Sequence, residues 1–153
     1  MKYVEQVLQP GETVVYATSL HWLVYLRAVV LLVVAVICLI ASTYFTEYLK
    51  AGLEIAAGLF VVVALLSALS ALIRRATTEL AVTDRRVIYK TGIFQRHSME
   101  MNRSKVETVG VDQSILGRIL GYGTVVVRGT GGSFEPIPFI GDPLNFRSHI
   151  TAG

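Results

Sequence analysis

The sequence predicts a membrane protein: a two-helix transmembrane hairpin followed by a small, mainly-β domain. Two charge-free runs, Ala28–Thr46 and Ile55–Ile73, each 19 residues long, stand almost back to back. At ~1.5 Å per helical residue each spans roughly 28 Å, close to the hydrocarbon thickness of a bilayer. After Arg74 the apolar residues switch to period two, the alternation of β-strands. Short stretches of that kind, broken by turn residues, argue for a small antiparallel barrel or sandwich.

Composition agrees. Of 153 residues 53% are hydrophobic and 16% charged, and the mean hydropathy is +0.57, too apolar for an ordinary soluble domain. The chain divides into an N-terminal segment (1–22), the hairpin (23–73) and a β-domain (74–153). The single cysteine, Cys38, lies inside the first apolar run, so no intramolecular disulfide and no cysteine-based zinc site can form. Residues 1–19 are mixed and partly polar, which reads as an uncleaved segment rather than a signal peptide.

Taken in order, Gln9-Pro10-Gly11-Glu12 is a turn, and Thr13–Ser19 reads as a β-branched strand. His21, Trp22 and Tyr25 then meet the membrane, with Trp22 in the aromatic belt and Arg27 snorkelling to the headgroups. Trp22 and Arg27 are therefore expected as interfacial anchors. In the first span Ala28, Ala35 and Ser42 recur every seven residues. The second span has Gly52/Ala56, Ala64/Ala68 and Ser67/Ala71, each four apart, spacing that lets helix backbones approach closely in lipid. Glu54 is expected at the outer interface beside Lys50, not as an ion relay, which needs more intramembrane ionisable groups.

In the β-domain Leu80 and Val82 alternate with polar neighbours, Asp84-Arg85 is a turn, and Val87-Ile88-Tyr89 follows. His97, Met99 and Met101 face opposite to Ser98, Glu100 and Asn102; further strands run around Val109 and Val111 and through Val125–Val127. Ile137 and Phe139 alternate with Pro136 and Pro138, and prolines two apart place that strand at a sheet edge. Two short helices are expected: Ile115–Leu120, capped by Ser114 and ended by Gly121 and Gly123, and one begun by Asp142-Pro143 and running through Leu144, Phe146 and Ile150.

Charge sets the orientation. Lys2 and Arg27 flank the first span, and Arg74, Arg75, Arg85, Arg86 and Lys90 follow the second, so both termini are expected in the cytoplasm. Residues 74–153 hold 11 Lys+Arg and 7 Asp+Glu, a net of +4. That suits a domain beside an anionic leaflet and falls short of nucleic-acid binding.

No catalytic constellation stands out. The glycines at 121, 123, 129, 131 and 132 lack the order of a phosphate loop, and hairpin and helix-end turns explain them. His21, His97 and His149 have no ligand spacing, so no metal site is expected. Ser98 beside His97 cannot form a triad, because neighbours on a strand point to opposite faces. Arg74, Arg75, Arg85 and Arg86 form a juxtamembrane cationic group in sequence, read either as a topology signal or as a lipid-surface site.

Three stretches resemble the bacterial pleckstrin-homology (PH) domain family of membrane proteins, YdbS-like in type. They are Leu8-Gln9-Pro10-Gly11-Glu12 with His21-Trp22; Thr83-Asp84-Arg85-Arg86-Val87-Ile88-Tyr89 with Thr91-Gly92; and Gln113-Ser114-Ile115-Leu116-Gly117-Arg118 running into Leu120-Gly121-Tyr122-Gly123-Thr124. The resemblance implies a PH-like domain of two roughly orthogonal antiparallel sheets with a C-terminal helix. It leaves two ways to close that domain: the short final helix alone, or the 1–22 strand returned by the hairpin. It supplies no activity and no cofactor, and phosphoinositide binding does not carry over to a turn offering only Asp84, Arg85 and Arg86.

The expected function is a non-enzymatic, membrane-anchored scaffold module of the bacterial inner membrane. It would bind a protein partner or self-assemble as a homo-oligomer, with Arg118, Tyr122 and Gly123 as a candidate partner surface. The alternatives are a domain sensing anionic lipid headgroups and a small subunit of a transport or envelope-stress complex. Membrane lipids are expected partners; nucleic acid is not.

Overall fold

The computed structural model describes residues 2–92, 97–133 and 136–152. The chain forms two compact units, one from Met1–His21 with Arg74–Gly153 and the other from Trp22–Ile73.

In the first unit, helix α1 (Lys2–Val7) is followed by strand β1 (Val14–Thr18). After the apolar helices come β2 (Glu79–Thr83), β3 (Arg86–Thr91) and β4 (His97–Asn102), which complete an antiparallel sheet in the order β1-β2-β3-β4. The second sheet holds β5 (Val106–Asp112), β6 (Tyr122–Gly129), β7 (Gly132–Ser133) and β8 (Ile137–Gly141), with β6 paired to each of the others. Helix α4 (Ile115–Leu120) bridges β5 and β6, and α5 (Pro143–Thr151) follows β8. Two antiparallel sheets with a C-terminal helix fit a PH-like fold.

Both means of closing the domain are used. β1 pairs with β2 from Val14↔Thr83 to Thr18↔Leu80, across more than fifty residues of intervening chain. Just beyond it, Leu20 bridges Ile140, and the His21 amide donates to the Phe139 carbonyl at 2.6 Å, so the N-terminal segment meets both sheets. Helix α5 packs across β1, β2, β5 and β6 and buries Pro143, Phe146 and Ile150. Tyr16 of β1 stacks on His149 with ring centroids 4.5 Å apart. The Arg103 guanidinium donates to the carbonyls of His149 and Ile150 at 2.7 and 3.2 Å, a cation on the helix C-terminus.

Strict alternation fails in β2, where Leu80, Ala81, Val82 and Thr83 are all buried. The reason is α1, a helix absent from the sequence expectation. Val4 packs with Ala81 and Ile88 on the outer face of the sheet, with Tyr3 and Val7 beside them. α1 has only six residues, too few to stand alone. The Glu79 carboxylate satisfies its start by accepting from the Tyr3 and Val4 amides at 3.1–3.3 Å. β8, which holds Pro138 with Pro136 just before it, borders its sheet, paired with β6 and, among the described residues, flanked on its other side by the short Ser19–His21 segment.

The second unit runs from a short 3₁₀ turn, Trp22–Tyr25, through α2 (Leu26–Ser42) into α3 (Glu47–Thr77), whose residues from Arg74 onward belong to the first unit; the helical stretches Trp22–Ser42 and Glu47–Thr77 are both long and apolar enough to cross a membrane. α2 stops four residues before the charge-free run does. Ser42 and Thr43 turn their hydroxyls back onto the Leu39 and Ile40 carbonyls at 2.8 and 2.7 Å. α3 continues beyond its apolar run at both ends; its 31 residues amount to about 46 Å, longer than a bilayer core. The buried residues of α2 are Ala28, Ala35 and Ser42, the seven-residue stripe visible in sequence. In α3 they are Ala57, Ala64 and Ala71. The four-apart pairs are thus corrected to a heptad; Gly52 is exposed and Ala56 half-buried.

Candidate interaction surface

Two of the stretches that carry the family resemblance meet in space. The Gln9–Glu12 turn places the Glu12 carboxylate, whose side chain is 0% exposed, against β2 and β3. It accepts from the Gln9 amide at 2.8 Å, the Thr83 hydroxyl at 2.7 Å, and Arg86 Nε and Nη2 at 2.9 and 2.8 Å. Arg86 also donates to the Val7 carbonyl at 2.6 Å and pairs with Glu100. The Arg86 hydrogen bonds hold the Glu12 carboxyl down at about 2, against the opposing effect of burial. Thr13 and Asp84 exchange two further hydrogen bonds at 3.0 Å. This clasp is structural: every strong acceptor and donor in it has a partner inside the fold.

The four arginines grouped in sequence do not form one cationic site. Arg74 and Arg75 are exposed in the last turns of α3. Arg85 and Arg86 lie beyond β2, whose five residues carry the chain roughly 17 Å away. Arg86 is consumed by the clasp, with its side chain 12% exposed. Arg85 is more open and sits 3.9 Å from the Asp84 carboxylate.

The third stretch builds α4. Ser114 accepts from the Gly117 amide at 3.1 Å, and Gly121 ends the helix in the left-handed region at φ 73°. Gln113 Nε2 donates to the Tyr122 carbonyl at 3.0 Å. Gly117 lies so close to that carbonyl that a Cβ would stand 2.7 Å from it. Gly123, expected on a partner surface, is instead buried; a Cβ there would meet the Asp112 carbonyl at 2.9 Å and Pro143 at 3.0 Å. Tyr122 is half-buried in a ring stack between His21 at 5.6 Å and Phe139 at 6.0 Å. Of that trio only Arg118 is exposed.

Arg118 lines a cleft of about 620 Å³ between α4 and α5, with Asp112, Gln113, Gly121, Asp142, Leu144 and Arg147. Asp142 is committed to capping α5, accepting from the Asn145 amide and side chain at 3.4 and 2.6 Å. Among the described residues Arg118 and Arg147 have no ion-pair partner. The sequence reading missed Leu144 and Arg147, although their spacing of three on a helix whose buried positions are 143, 146 and 150 already places them outward. The cleft offers two guanidiniums, the Asp112 carboxylate and an apolar side chain.

Trp22 is 52% exposed and Arg27 is exposed near the start of α2. Glu54 lies 4.0 Å from Lys50, one turn away on α3. His97 is on β4 and His149 on α5, and no group of three metal-ligating side chains occurs among the described residues. His21 is pushed below its ordinary value by burial and by the nearby charge of Arg75.

A family model described as a bacterial PH domain matches residues 13–148. No curated protein matches the chain.

Proposed function

The chain belongs to the bacterial PH-domain family, and from that premise we propose that it is a non-catalytic interaction module anchored in the bacterial inner membrane by its two apolar helices. In this reading residues 23–73 form the transmembrane hairpin, and residues 1–22 and 74–153 lie in the cytoplasm. The supporting observation is the β1–β2 pairing. A sheet shared by segments on either side of the apolar helices requires both to lie on one side of any membrane those helices cross. The positive residues flanking them favour the cytoplasmic side.

The docking surface is the α4–α5 cleft, where Arg118, Leu144 and Arg147 combine charge with apolar area, and its occupant is a protein partner or a second copy of the chain. The lipid-headgroup alternative is weaker, because Arg86 is paired inside the fold and Arg85 is remote from Arg74 and Arg75. A photoreactive residue at Leu144 of the full-length chain in native membranes tests the reading. It should give adducts of higher mass that disappear in an Arg118→Glu/Arg147→Glu variant. Recovery of monomer alone, from protein that remains folded, would defeat it.

A further inference from the structure

We propose that α4 is an interfacial wedge: its apolar face inserts into the lipid surface beside the point where the chain enters the membrane. This rests on the reading that the two apolar helices are membrane-anchored. Four of the six α4 residues are large, apolar and exposed: Ile115 at 81%, Leu116 at 62%, Ile119 at 73% and Leu120 at 41%. At 100° per residue they cover an arc of roughly 140°. Gly117, buried against the domain, and Arg118 lie outside that arc, on the opposite side of the helix.

The helix does not expose this face through loose attachment. Ser114, Gln113, Gly117 and Gly121 fix its backbone by hydrogen bonds and close approach, so the apolar side chains are left pointing away from the domain. A soluble surface seldom concentrates apolar residues in this way without a contact for them.

Chain connectivity says what covers it. Tyr122, two residues after α4, stacks on His21, and the Leu120 backbone hydrogen-bonds the same imidazole. His21 is the last residue before the Trp22–Ser42 apolar helix. Arg75, at the returning end of α3, is close enough for its charge to act on His21. α4 therefore lies where the chain leaves the domain and where it returns. An apolar arc held there matches the residue pattern of an in-plane interfacial helix.

The test uses the full-length chain with Cys38→Ser, in phosphatidylcholine–phosphatidylglycerol nanodiscs carrying a spin-labelled lipid quencher. Single cysteines are placed by Ile119→Cys, by Val30→Cys in α2, and by Ser104→Cys in the β4–β5 connection, and each is labelled with an environment-sensitive fluorophore. Insertion gives blue-shifted, lipid-quenched emission at 119 and 30 and neither effect at 104. Quenching at 30 without quenching at 119 overturns the wedge while leaving the anchor intact. Loss of quenching at both overturns the anchor and the wedge with it. A blue shift at 119 without lipid quenching, accompanied by disulfide-linked dimers through Ile119→Cys, assigns the face to a second copy and overturns the lipid assignment.

Discussion

Replacing Glu12 with Gln should destabilise the β-domain by about 3 kcal/mol, and the loss should depend on pH. The carboxyl drops from the ordinary 4.5 to about 2, led by the hydrogen bonds from Arg86. That difference of about 2.5 pH units, at ~1.4 kcal/mol per unit, corresponds to an upper figure of about 3.5 kcal/mol. A second route gives the same order: removing one partner of a buried ion pair costs ~3–5 kcal/mol. Arg86 retains Glu100 and the Val7 carbonyl, which favours the lower end. For a folding unit of about a hundred residues this is a fall in Tm of about 15 °C. Because the folded-state value lies below the unfolded one, the stabilisation is complete above pH 4.5 and drains away as the pH falls towards 2. Thermal unfolding of the full-length chain in nanodiscs, followed by hydrogen exchange at β1 and β2 amides, measures it at pH 7 and pH 3. The gap between wild type and variant should be wide at pH 7 and narrow at pH 3. A gap below ~1 kcal/mol at pH 7, or one indifferent to pH, would refute the assignment of Glu12 as an ionised, structural carboxylate.

Gly129→Ala should cost ~2 kcal/mol or more, because its Cβ would collide with the Lys105 carbonyl and lie 2.7 Å from Met101 Sδ. Gly131→Ala, with open space around it, should change stability by less than ~0.5 kcal/mol in the same thermal assay. Ala35→Leu, at a position 1% exposed, should weaken the helix pair by ~1–3 kcal/mol in a detergent-unfolding titration followed by helicity. Ile37→Leu, at a side chain 58% exposed, is the control and should leave the curve unmoved. Asp142→Ala should lose about 1 kcal/mol by removing the α5 cap and leaving a Cβ-bearing residue at φ 50° with no side-chain acceptor, whereas Asp142→Asn should cost only a few tenths, read by chemical denaturation.

Much of this architecture was legible because its signals are local. Ser114 and Gly121 bound α4, Asp142-Pro143 begins α5, and the seven-residue recurrence of Ala28, Ala35 and Ser42 marks the buried side of α2. What was hidden depends on partners distant in sequence. The amides that begin α1 are satisfied by Glu79, more than seventy residues away, so no capping signal appears beside the helix itself. β2 does not alternate because α1 covers the face that a two-layer domain would leave wet. Arg86 reads as a surface cation until Glu12 is brought to it from across the apolar helices. Gly123 reads as surface because a glycine in a turn and a glycine under a neighbouring backbone look alike in sequence.

The residues by which the chain resembles its family prove to be mostly scaffolding. Glu12, Thr83, Asp84 and Arg86 close the clasp, while Gln113, Ser114, Gly117 and Gly121 fix the backbone of α4. Side chains with this much internal work have little freedom to meet a partner. Function is better sought where the scaffold leaves side chains without such work: the apolar arc of α4, and Arg118, Leu144 and Arg147 in the cleft. The clasp also has a topological consequence. It joins Gln9–Thr13 to Thr83–Arg86, so the domain cannot be completed until both apolar helices have been made. If those helices cross a membrane, the shared sheet demands an even number of crossings whatever the flanking charges. Those charges then decide only which side the completed domain faces.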